Sequence, residues 1–268
     1  MYVVRDGKIA WSYSIPPSQE LGDCTMLSNG NIVFSRRLGA SEITPDKRIV
    51  WNYDAPADTE IHTAQPIDKD RVLIVRNGNP AKLLIINKTT GLTEKEMILQ
   101  TGKHGIHGQF RHVRMTEDGT FLVPHMDLGK VVEYDRDGKE IWSVDAPSAW
   151  AAVRLKNGNT LISGNQHGYV REVNRKGEVV WEIAKDDFPG MPLLTVQEVD
   201  RLANGNTVIC NWSGSLPLAD GHRVVQVIEV TNAKKVVWAL RYWDRLGPAS
   251  AIQILDEPGI PEHRDLQR

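Results

Sequence analysis

The side chains with the clearest chemical potential are histidines concentrated between residues 104 and 125. The segment His104-Gly-Ile-His107-Gly-Gln-Phe-Arg-His112 combines imidazoles with an arginine, and His125 follows in the next predicted strand. Imidazoles with a pKa near neutrality act as general acids and bases, and beside Arg111 they suit sulfuryl, phosphoryl or uronate chemistry. His107, His112 and His125 are therefore the catalytic candidates.

Two other interpretations of these histidines stay open. Three imidazole nitrogens with an open fourth position suit zinc, although the spacing matches no established zinc pattern. Alternatively, the segment is a hydrated loop whose histidines bond to backbone groups. We assign no residue as a metal ligand from the sequence.

A second group of candidates combines aromatic side chains with amide and imidazole groups. Trp150, Gln166, His167 and Trp212 fall in predicted loops, where aromatic rings suit stacking against a sugar or another flat ligand. In the competing interpretation Trp150 plugs a central channel. The long segment 212–222, rich in Gly and Ser, is a candidate lid. The predicted ligand-binding residues are His62, His107, Gln109, Arg111, His112, Trp150, Gln166, His167 and Trp212.

A repeat of about 40 residues must position these side chains. Each copy has an Asn-Gly-Asn turn, a short apolar strand, a second charged turn, and a Val-Trp or Ile-Trp pair, most clearly in 27–51, 155–181 and 202–238. Asn-Gly suits type I′ hairpins, because both central residues need positive φ. The pattern predicts four short antiparallel strands per repeat, as in a β-propeller blade. We expect the tryptophans to pack between blades.

The fold predicted from this repeat is all-β, a six-bladed β-propeller of four-stranded antiparallel blades forming one domain, 1–268. Residues 2–11 match the third and fourth strands of a blade, and 249–255 match a first strand. We therefore expect the termini to share the sixth blade, closing the ring and removing free sheet edges. The predicted blades are approximately 21–54, 61–99, 107–145, 149–184, 194–242, and 249–268 with 1–15.

The two faces of the predicted ring differ in regularity. One carries uniform turns, and the other carries variable segments, beside which seven of the eight histidines fall. Binding residues concentrate on variable loops held by a rigid scaffold, so the second face is the predicted functional face. The residues five before each turn are expected at its channel mouth: Gly22, His62, Phe110, Trp150, Gln197 and Ser250.

Arginines stand just before three of the turns, at Arg114, Arg154 and Arg201. They either point into the channel to hold an anion or pair with acidic neighbours such as Glu198 and Asp200. Six carboxylates are further acid–base candidates, but the sequence does not tell which of them meet: Asp23, Asp58, Glu60, Asp127, Glu198 and Asp200.

The composition argues against several classes of protein. The 268 residues carry a net charge of −2 with no basic face, so nucleic acid is not an expected partner. No apolar run approaches the ~20 residues of a membrane helix, and we expect no membrane span. Cys24 and Cys210 lie in different repeats, which predicts no disulfide between them.

The L-x-N-G-N-T turn followed by Gly177-Glu-Val-Val-Trp181 resembles the repeat of the pyrroloquinoline-quinone-like β-propeller superfamily, with arylsulfotransferase-like propellers as the nearer relatives. Quinoprotein dehydrogenases of that superfamily have larger rings, bind calcium beside the quinone and often carry adjacent cysteines. Cys24 and Cys210 are far apart, so no quinone and no other cofactor is predicted, and zinc or calcium are the ions to consider.

The resemblance also bears on activity and location. Arylsulfotransferase-like members place a His-His-Asp-like segment before the same turn, and Ile61-His62-Thr63 retains one histidine. This implies shared ancestry rather than sulfotransfer. Small members of the group are often bacterial and exported, which implies a periplasmic or cell-surface location if a signal peptide was removed, and a cytoplasmic one otherwise.

We predict from these features a ligand-binding propeller that recognises a carbohydrate or small anionic compound at its channel mouth. One alternative is a lyase, hydrolase or transferase that uses the histidine cluster as acid, base or metal ligands. Another is a protein-interaction scaffold that presents the loop-rich face to a protein partner.

Overall fold

The computed structural model describes residues 1–102, 105–214 and 224–263. Two 3-10 turns occur, at Ile106–Gly108 and Pro261–His263, and no described helix has the length and apolarity needed to cross a membrane. The strands are β1 (Tyr2–Arg5), β2 (Lys8–Ser12), β3 (Leu21–Met26), β4 (Ile32–Arg36), β5 (Gly39–Ile43), β6 (Ile49–Asp54), β7 (Glu60–Pro66), β8 (Arg71–Asn77), β9 (Ala81–Asn87), β10 (Thr93–Leu99), β11 (Arg114–Met115), β12 (Phe121–His125), β13 (Lys130–Tyr134), β14 (Glu140–Asp145), β15 (Ala152–Arg154), β16 (Thr160–Ser163), β17 (Val170–Val173), β18 (Val179–Ile183), β19 (Val196–Arg201), β20 (Thr207–Asn211), β21 (Val227–Val230) and β22 (Val236–Leu240).

Within the described residues, five sheets each contain four strands that follow one another in sequence. We name them blade 1 (β3–β6), blade 2 (β7–β10), blade 3 (β11–β14), blade 4 (β15–β18) and blade 5 (β19–β22), with the innermost strand first. All pairs are antiparallel, so the four-stranded blade expected from the repeat is present. The middle strands are almost wholly buried, whereas outer strands such as β14 alternate in exposure, as expected for edge strands that face solvent on one side.

The prediction of six blades is wrong, because the termini do not form a sixth four-stranded sheet. β1 and β2 form a two-stranded sheet, and residues 249–255 contain no strand. Val3 and Trp11 of the β1–β2 hairpin pack with Phe34 of blade 1. Ile252 and Ile254 pack instead against blade 5. The hairpin and the C-terminal segment therefore rest on different neighbours rather than pairing with each other.

Hydrogen bonds explain why the C-terminal segment does not join a sheet. The Ile252 N–H donates to Glu198 Oε2 at 2.6 Å, and the Gln253 side chain bonds both the N–H and the carbonyl of Met26, at 2.7 and 3.2 Å. The prolines at 258 and 261 follow, and proline has no N–H with which to extend a ladder. Irregular bonds to blades 1 and 5 therefore take the place of strand pairing.

A glutamate on the third strand accounts for much of the repeat. In four blades this residue pairs across the sheet with the tryptophan of the fourth strand, as Glu42–Trp51, Glu133–Trp142, Glu172–Trp181 and Glu229–Trp238. Blade 2 has Ile85 and Lys95 at the same pair of positions. Glutamate and tryptophan are thus lost together in blade 2, as partners in one interaction would be.

The interaction that joins the blades is clearest at Glu172, which is buried. Asn159 of the same blade's Asn-Gly-Asn turn donates to Glu172 Oε1 at 2.7 Å, and Arg201 of the next blade donates to Oε2 at 2.9 Å. The Arg201 guanidinium lies 5.3 Å from the Trp181 ring centroid, within cation–π range. Arg201 therefore pairs with an acidic neighbour rather than facing the channel.

Two more blades repeat this arrangement. Arg154 donates to Glu133 at 2.6 Å and lies 5.0 Å from the Trp142 ring centroid. In blade 1, Glu42 accepts from its own turn through Asn31 and from Lys88 of blade 2 at 2.5 Å. Each glutamate thus fastens its own turn and a cation of the following blade.

Blade 5 lacks the second half of this interaction. Glu229 accepts from Asn206 at 2.7 Å but forms no ion pair with any described residue. Trp238 is 43% exposed, whereas Trp51 is 9% exposed. The position after blade 5 is held by the hairpin and the C-terminal segment, where Ile254 rather than arginine precedes Leu255.

Replacing Glu172 by Gln is expected to lower the free energy of unfolding by about 3–5 kcal/mol, because it leaves Arg201 buried without its counter-ion. The matched control is Glu229→Gln, which removes the same carboxylate where no cation is paired and should cost about 1 kcal/mol. Urea denaturation followed by tryptophan fluorescence measures both. Equal losses in the two variants would contradict the inter-blade role.

The Glu172 contribution is expected to depend on pH. Burial opposes ionisation of Glu172, but hydrogen bonds from Asn159 and Asn157 and the charge of Arg201 outweigh it and lower its pKa. A lowered folded-state pKa contributes stability above the unfolded-chain value of about 4.3, which is lost as pH falls through the folded-state pKa. The difference in unfolding free energy between wild type and Glu172→Gln should therefore begin to shrink below about pH 4.3 and should be lost as the pH falls through the folded-state pKa. A difference that stays constant from pH 7 to 3 would refute this.

Candidate functional site

The innermost strands are irregular at the end that faces the variable loops. Register shifts interrupt β3 between Leu21 and Cys24, β7 between Ile61 and Thr63, and β19 between Val196 and Val199. The paired parts of β11 and β15 are only two and three residues long. Bulges re-aim side chains and recur next to functional sites.

A layer of charged groups crosses the channel. Arg114 of blade 3 donates to both carboxylate oxygens of Asp23 in blade 1, at 2.7 and 3.1 Å, and to Glu198 of blade 5 at 2.9 Å. Blade 3 is separated from blade 1 by blade 2 and from blade 5 by blade 4, so these side chains meet across the centre. Burial raises the pKa of Asp23, but the charges of Arg114 and His112 outweigh it and lower that pKa. Of the three arginines that precede turns, Arg114 is the one whose partners lie across the channel.

His112 and Trp150 lie next to this layer and hold the inner strands of blades 3 and 4 together. The His112 N–H donates to the Trp150 carbonyl at 3.1 Å, and the ring centroids are 6.3 Å apart. His112 is fully buried, with Nδ1 3.5 Å from Glu198 Oε1. Among the described residues, neither ring nitrogen of His112 has a hydrogen-bond partner, and neither does Trp150 Nε1.

Arg111 is a buried cation with no carboxylate against it. It is 2% exposed, its guanidinium lies 4.8 Å from the Trp150 ring centroid, and Nη1 donates to the carbonyl of Phe110 at 3.0 Å. Nε has no partner, and Arg111 forms no ion pair with any described residue. Burial lowers its pKa to about 10, against the attraction of Glu20 and Glu60. The group therefore stays charged at neutral pH.

Glu60 organises the channel mouth. Its Oε2 lies 2.9 Å from His62 Nε2 and 2.7 Å from His107 Nδ1, while Arg37 donates to Oε1 at 2.8 Å. Burial raises the pKa of Glu60, but the hydrogen bonds with His62 and His107 outweigh it and lower that pKa to about 2. Burial, aided by the charge of Arg111, lowers the pKa of His62 to about 3, so this imidazole is neutral and its Nδ1 has no partner.

Six of the buried polar atoms that have no hydrogen-bond partner among the described residues lie on, or just before, the inner strands of blades 2 to 5, and others, such as His125 Nδ1 and Arg76 Nε, lie elsewhere. An unmet buried polar group costs about 1–3 kcal/mol, so natural folds keep few of them. A group of such atoms around a buried cation is what a site for a polar ligand requires. These atoms are His62 Nδ1, Arg111 Nε, His112 Nδ1 and Nε2, Trp150 Nε1 and Gln197 Oε1.

Several sequence-predicted residues lie elsewhere. Gln109 is buried and bonds both the N–H and the carbonyl of Gly78, at 2.8 and 3.1 Å, which fixes a loop. Gln166 and His167 are exposed in the turn after β16. The half-buried Trp212 packs over Gly214, where an added Cβ would lie 2.4 Å from its ring. His104, His222 and most of the candidate lid 212–222 lie outside the described residues.

His125 belongs to the interior of blade 3. Its Nε2 lies 2.9 Å from the Tyr134 hydroxyl, its ring centroid is 5.0 Å from that of Phe110, and burial lowers its pKa to about 4. Among the described residues, His107, His112 and His125 therefore do not share one metal-ligating cluster. The three catalytic candidates occupy the mouth, the channel and the core of a blade, respectively.

The sequence analysis named Glu60 and Asp23 only among several possible acid–base carboxylates, and it did not select Arg37. The available signal for Glu60 was its place two residues before His62 in a strand, where side chains two apart share a face. No local pattern links Arg37 or Asp23 to the channel, because their contacts span from 23 to 91 residues of sequence.

A separate cavity of about 50 Å³ lies on the turn-rich side of Arg114, bordered by Gln65, Asp200 and Gln253. Its lining includes Arg114 and Glu198 but neither Arg111 nor His112. This volume holds no more than a few waters. It is therefore not the site formed by the unpartnered groups.

The family model described as outer membrane protein assembly factor BamB, a PQQ_2 repeat model, matches residues 99–226. No curated protein matches the chain in sequence. A solved protein of unknown function from Bacteroides caccae is similar over 91% of this chain and 90% of its own, with 29% identity and a TM-score of 0.83.

Two lyase structures share the fold at lower identity. The virginiamycin B lyase from Staphylococcus aureus is 14% identical, with 81% of this chain and 68% of that chain covered and a TM-score of 0.58. A streptogramin B lyase is 13% identical, with 89% and 74% covered and a TM-score of 0.60. With the four-stranded blades, these likenesses show that the chain has a β-propeller fold, and residues 99–226 are similar to a PQQ-like repeat model.

Proposed function

We propose that this propeller binds a small organic anion, with its acidic group held at Arg111 inside the channel mouth. The observation that carries the proposal is the burial of Arg111 without a carboxylate partner. Charge is more costly to bury than any neutral polar group, so a buried cation is normally paired. An anionic ligand supplies that pairing.

The neighbours of Arg111 favour a carboxylate or sulfate group over a neutral sugar. The guanidinium covers a face of Trp150, so that face is not free to stack on a sugar ring. Trp150 Nε1 is a buried donor with no partner among the described residues, and donors are what an anion's oxygens require. Recognition by charge is therefore better supported than recognition by stacking.

The burial of these side chains limits the size of the ligand group that they can bind. His62, Arg111, His112 and Trp150 are each no more than 4% exposed. The anionic group must be compact, and the rest of the ligand extends toward the mouth past the half-exposed side chain of His107. Uronates and other small hydroxylated acids fit this description.

Acid–base chemistry on the bound anion is a second candidate, favoured by two imidazole–carboxylate pairs beside Arg111. Glu60 orients His62 at 2.9 Å, and Glu198 lies 3.5 Å from His112 Nδ1. An imidazole oriented by a carboxylate is the usual arrangement for proton transfer. When the proton on the carbon next to the carboxylate is removed and the oxygen substituent on the adjacent carbon leaves, a carbon–carbon double bond forms; this is β-elimination, the reaction class of a lyase.

Replacing Arg111 by Met is expected to abolish anion binding while leaving the protein at least as stable, because it removes a buried charge that lacks a partner. The probes are glucuronate, galacturonate and sulfate. Each is used at about 10 mM, a concentration above the Kd of a weak, millimolar ligand. Thermal shift and calorimetry should detect binding to wild type and to Arg48→Met, a surface control. Strong destabilisation by Arg111→Met without loss of binding would make Arg111 a structural residue.

If the protein is an enzyme, one substitution should reduce turnover much more than it weakens binding of the anion. His112→Gln should reduce turnover of an anionic sugar polymer or uronide at least about 100-fold, because general acid–base catalysis contributes 10²–10⁴-fold, and it should weaken binding no more than about tenfold. Product formation is followed by the ultraviolet absorbance of the unsaturated uronide that elimination produces. Binding by wild type without any turnover would leave the protein as a binding module.

A further inference from the structure

Glu60, His62 and His107 bring three ligand atoms together at the channel mouth, all within 4.8 Å of one another. We infer that these residues bind one divalent transition-metal ion of the zinc class. Two imidazoles and a carboxylate are a donor set that zinc uses at sites with an open coordination position. The inference goes beyond anion binding at Arg111, because it assigns a separate site with its own ligands.

The geometry requires little rearrangement. Both imidazole nitrogens approach the same oxygen, Glu60 Oε2, at 2.9 and 2.7 Å, and the rings are inclined by 81° with centroids 5.2 Å apart. Zinc lies about 2.0–2.2 Å from nitrogen and carboxylate oxygen, so tetrahedral ligands stand roughly 3.3 Å apart. Shifts of about half an ångström bring both nitrogens to that spacing from Glu60 Oε2.

Outer partners already orient two of the three ligands. Arg37 holds Glu60 Oε1 at 2.7 and 2.8 Å, which leaves Oε2 as the ligand oxygen. Glu20 Oε2 lies 3.6 Å from His107 Nε2, on the far side of the ring from Nδ1. A carboxylate behind a ligating imidazole is the usual support for such a ligand.

The site is also open on one side. The side chains of Glu60 and His62 are 3% and 1% exposed, whereas that of His107 is 54% exposed. An ion can therefore enter past His107, and a fourth position remains for water or ligand. Buried walls with an open side distinguish this group from a hydrogen-bonded cluster sealed in the core.

A second group of potential ligands, Asp23, His112 and Glu198, meets the same distance limit. Arg114 lies between its two carboxylates, at 2.7 and 2.9 Å. All four oxygens of these carboxylates already accept hydrogen bonds, from Arg114 or from the Ile252 N–H, whereas Arg37 contacts only Oε1 of Glu60 and leaves Oε2 to the two imidazoles. The mouth site is the better supported of the two.

Metal binding would also affect the anion site, and this part of the inference rests on the proposed function. A metal on His62 Nε2 leaves the proton on Nδ1, which is buried and has no partner in the protein. That nitrogen then becomes a donor beside the Arg111 site. The protein with a metal ion bound at Glu60, His62 and His107 should therefore bind anions more tightly than the metal-free protein.

The test uses the full chain, stripped with a chelator and titrated with Zn²⁺ by calorimetry and with Co²⁺ by visible absorption. We expect one ion per chain and a tetrahedral Co²⁺ spectrum. His107→Ala should weaken binding at least about tenfold, a loss that even outer-shell changes can cause, and its exposed side chain makes misfolding an unimportant outcome. His167→Ala, another exposed histidine, is the matched control and should bind like wild type.

The outcomes separate this inference from the anion proposal. Arg111→Met should retain stoichiometric metal binding even where anion binding is lost. Loss of the Co²⁺ spectrum in His107→Ala with unchanged binding in His167→Ala supports the mouth site. Absence of stoichiometric binding by wild type, or equal affinity in wild type and His107→Ala, overturns it whatever the anion assays give.

Discussion

The ring depends on one interaction, the buried third-strand glutamate that binds its own turn and a cation of the next blade. The tryptophan opposite the glutamate covers that cation in two of the blades, at Arg154 and Arg201. Burying a carboxylate is tolerable only when it is paired and hydrogen-bonded, so glutamate, asparagine, arginine and tryptophan are constrained as a set. Most of the residues that recur in the sequence repeat are those that form this interaction.

This interaction secures the turn-rich end of the blades and leaves the opposite end free to vary. There the inner strands are bulged or short, and strand-to-strand contact passes through individual bonds such as that between His112 and Trp150. The channel can therefore carry a charged layer at Arg114 and, beside it, a cation at Arg111 that the protein itself leaves unpaired. Polar groups left unsatisfied in this way lower stability, and binding a ligand or ion would recover it.

The position between blades 5 and 1 is where the regular pattern stops. Glu229 and Trp238 have the residues of the inter-blade interaction but no cation to complete it, and Trp238 is correspondingly exposed. The C-terminal segment matches a first strand in sequence, which is why six blades were expected. Its bonds to Glu198 and Met26 hold it as an irregular segment instead.

Residue order alone determined the blade, because hairpin turns, strand alternation and the glutamate–tryptophan pairing are short-range properties repeated along the chain. It also drew attention to His62 and Trp150 through their fixed distance from each turn, and to Arg111 and His112 through the histidine-rich segment. It did not separate these from Gln109, which holds a loop, or from His125, which lies in a blade interior. Only the closed ring brings Glu60 to His107, and Asp23 and Glu198 to Arg114, because these contacts join residues 47 to 91 positions apart. Blade number and the chemistry of the channel are both decided by such long-range contacts, which no local pattern encodes.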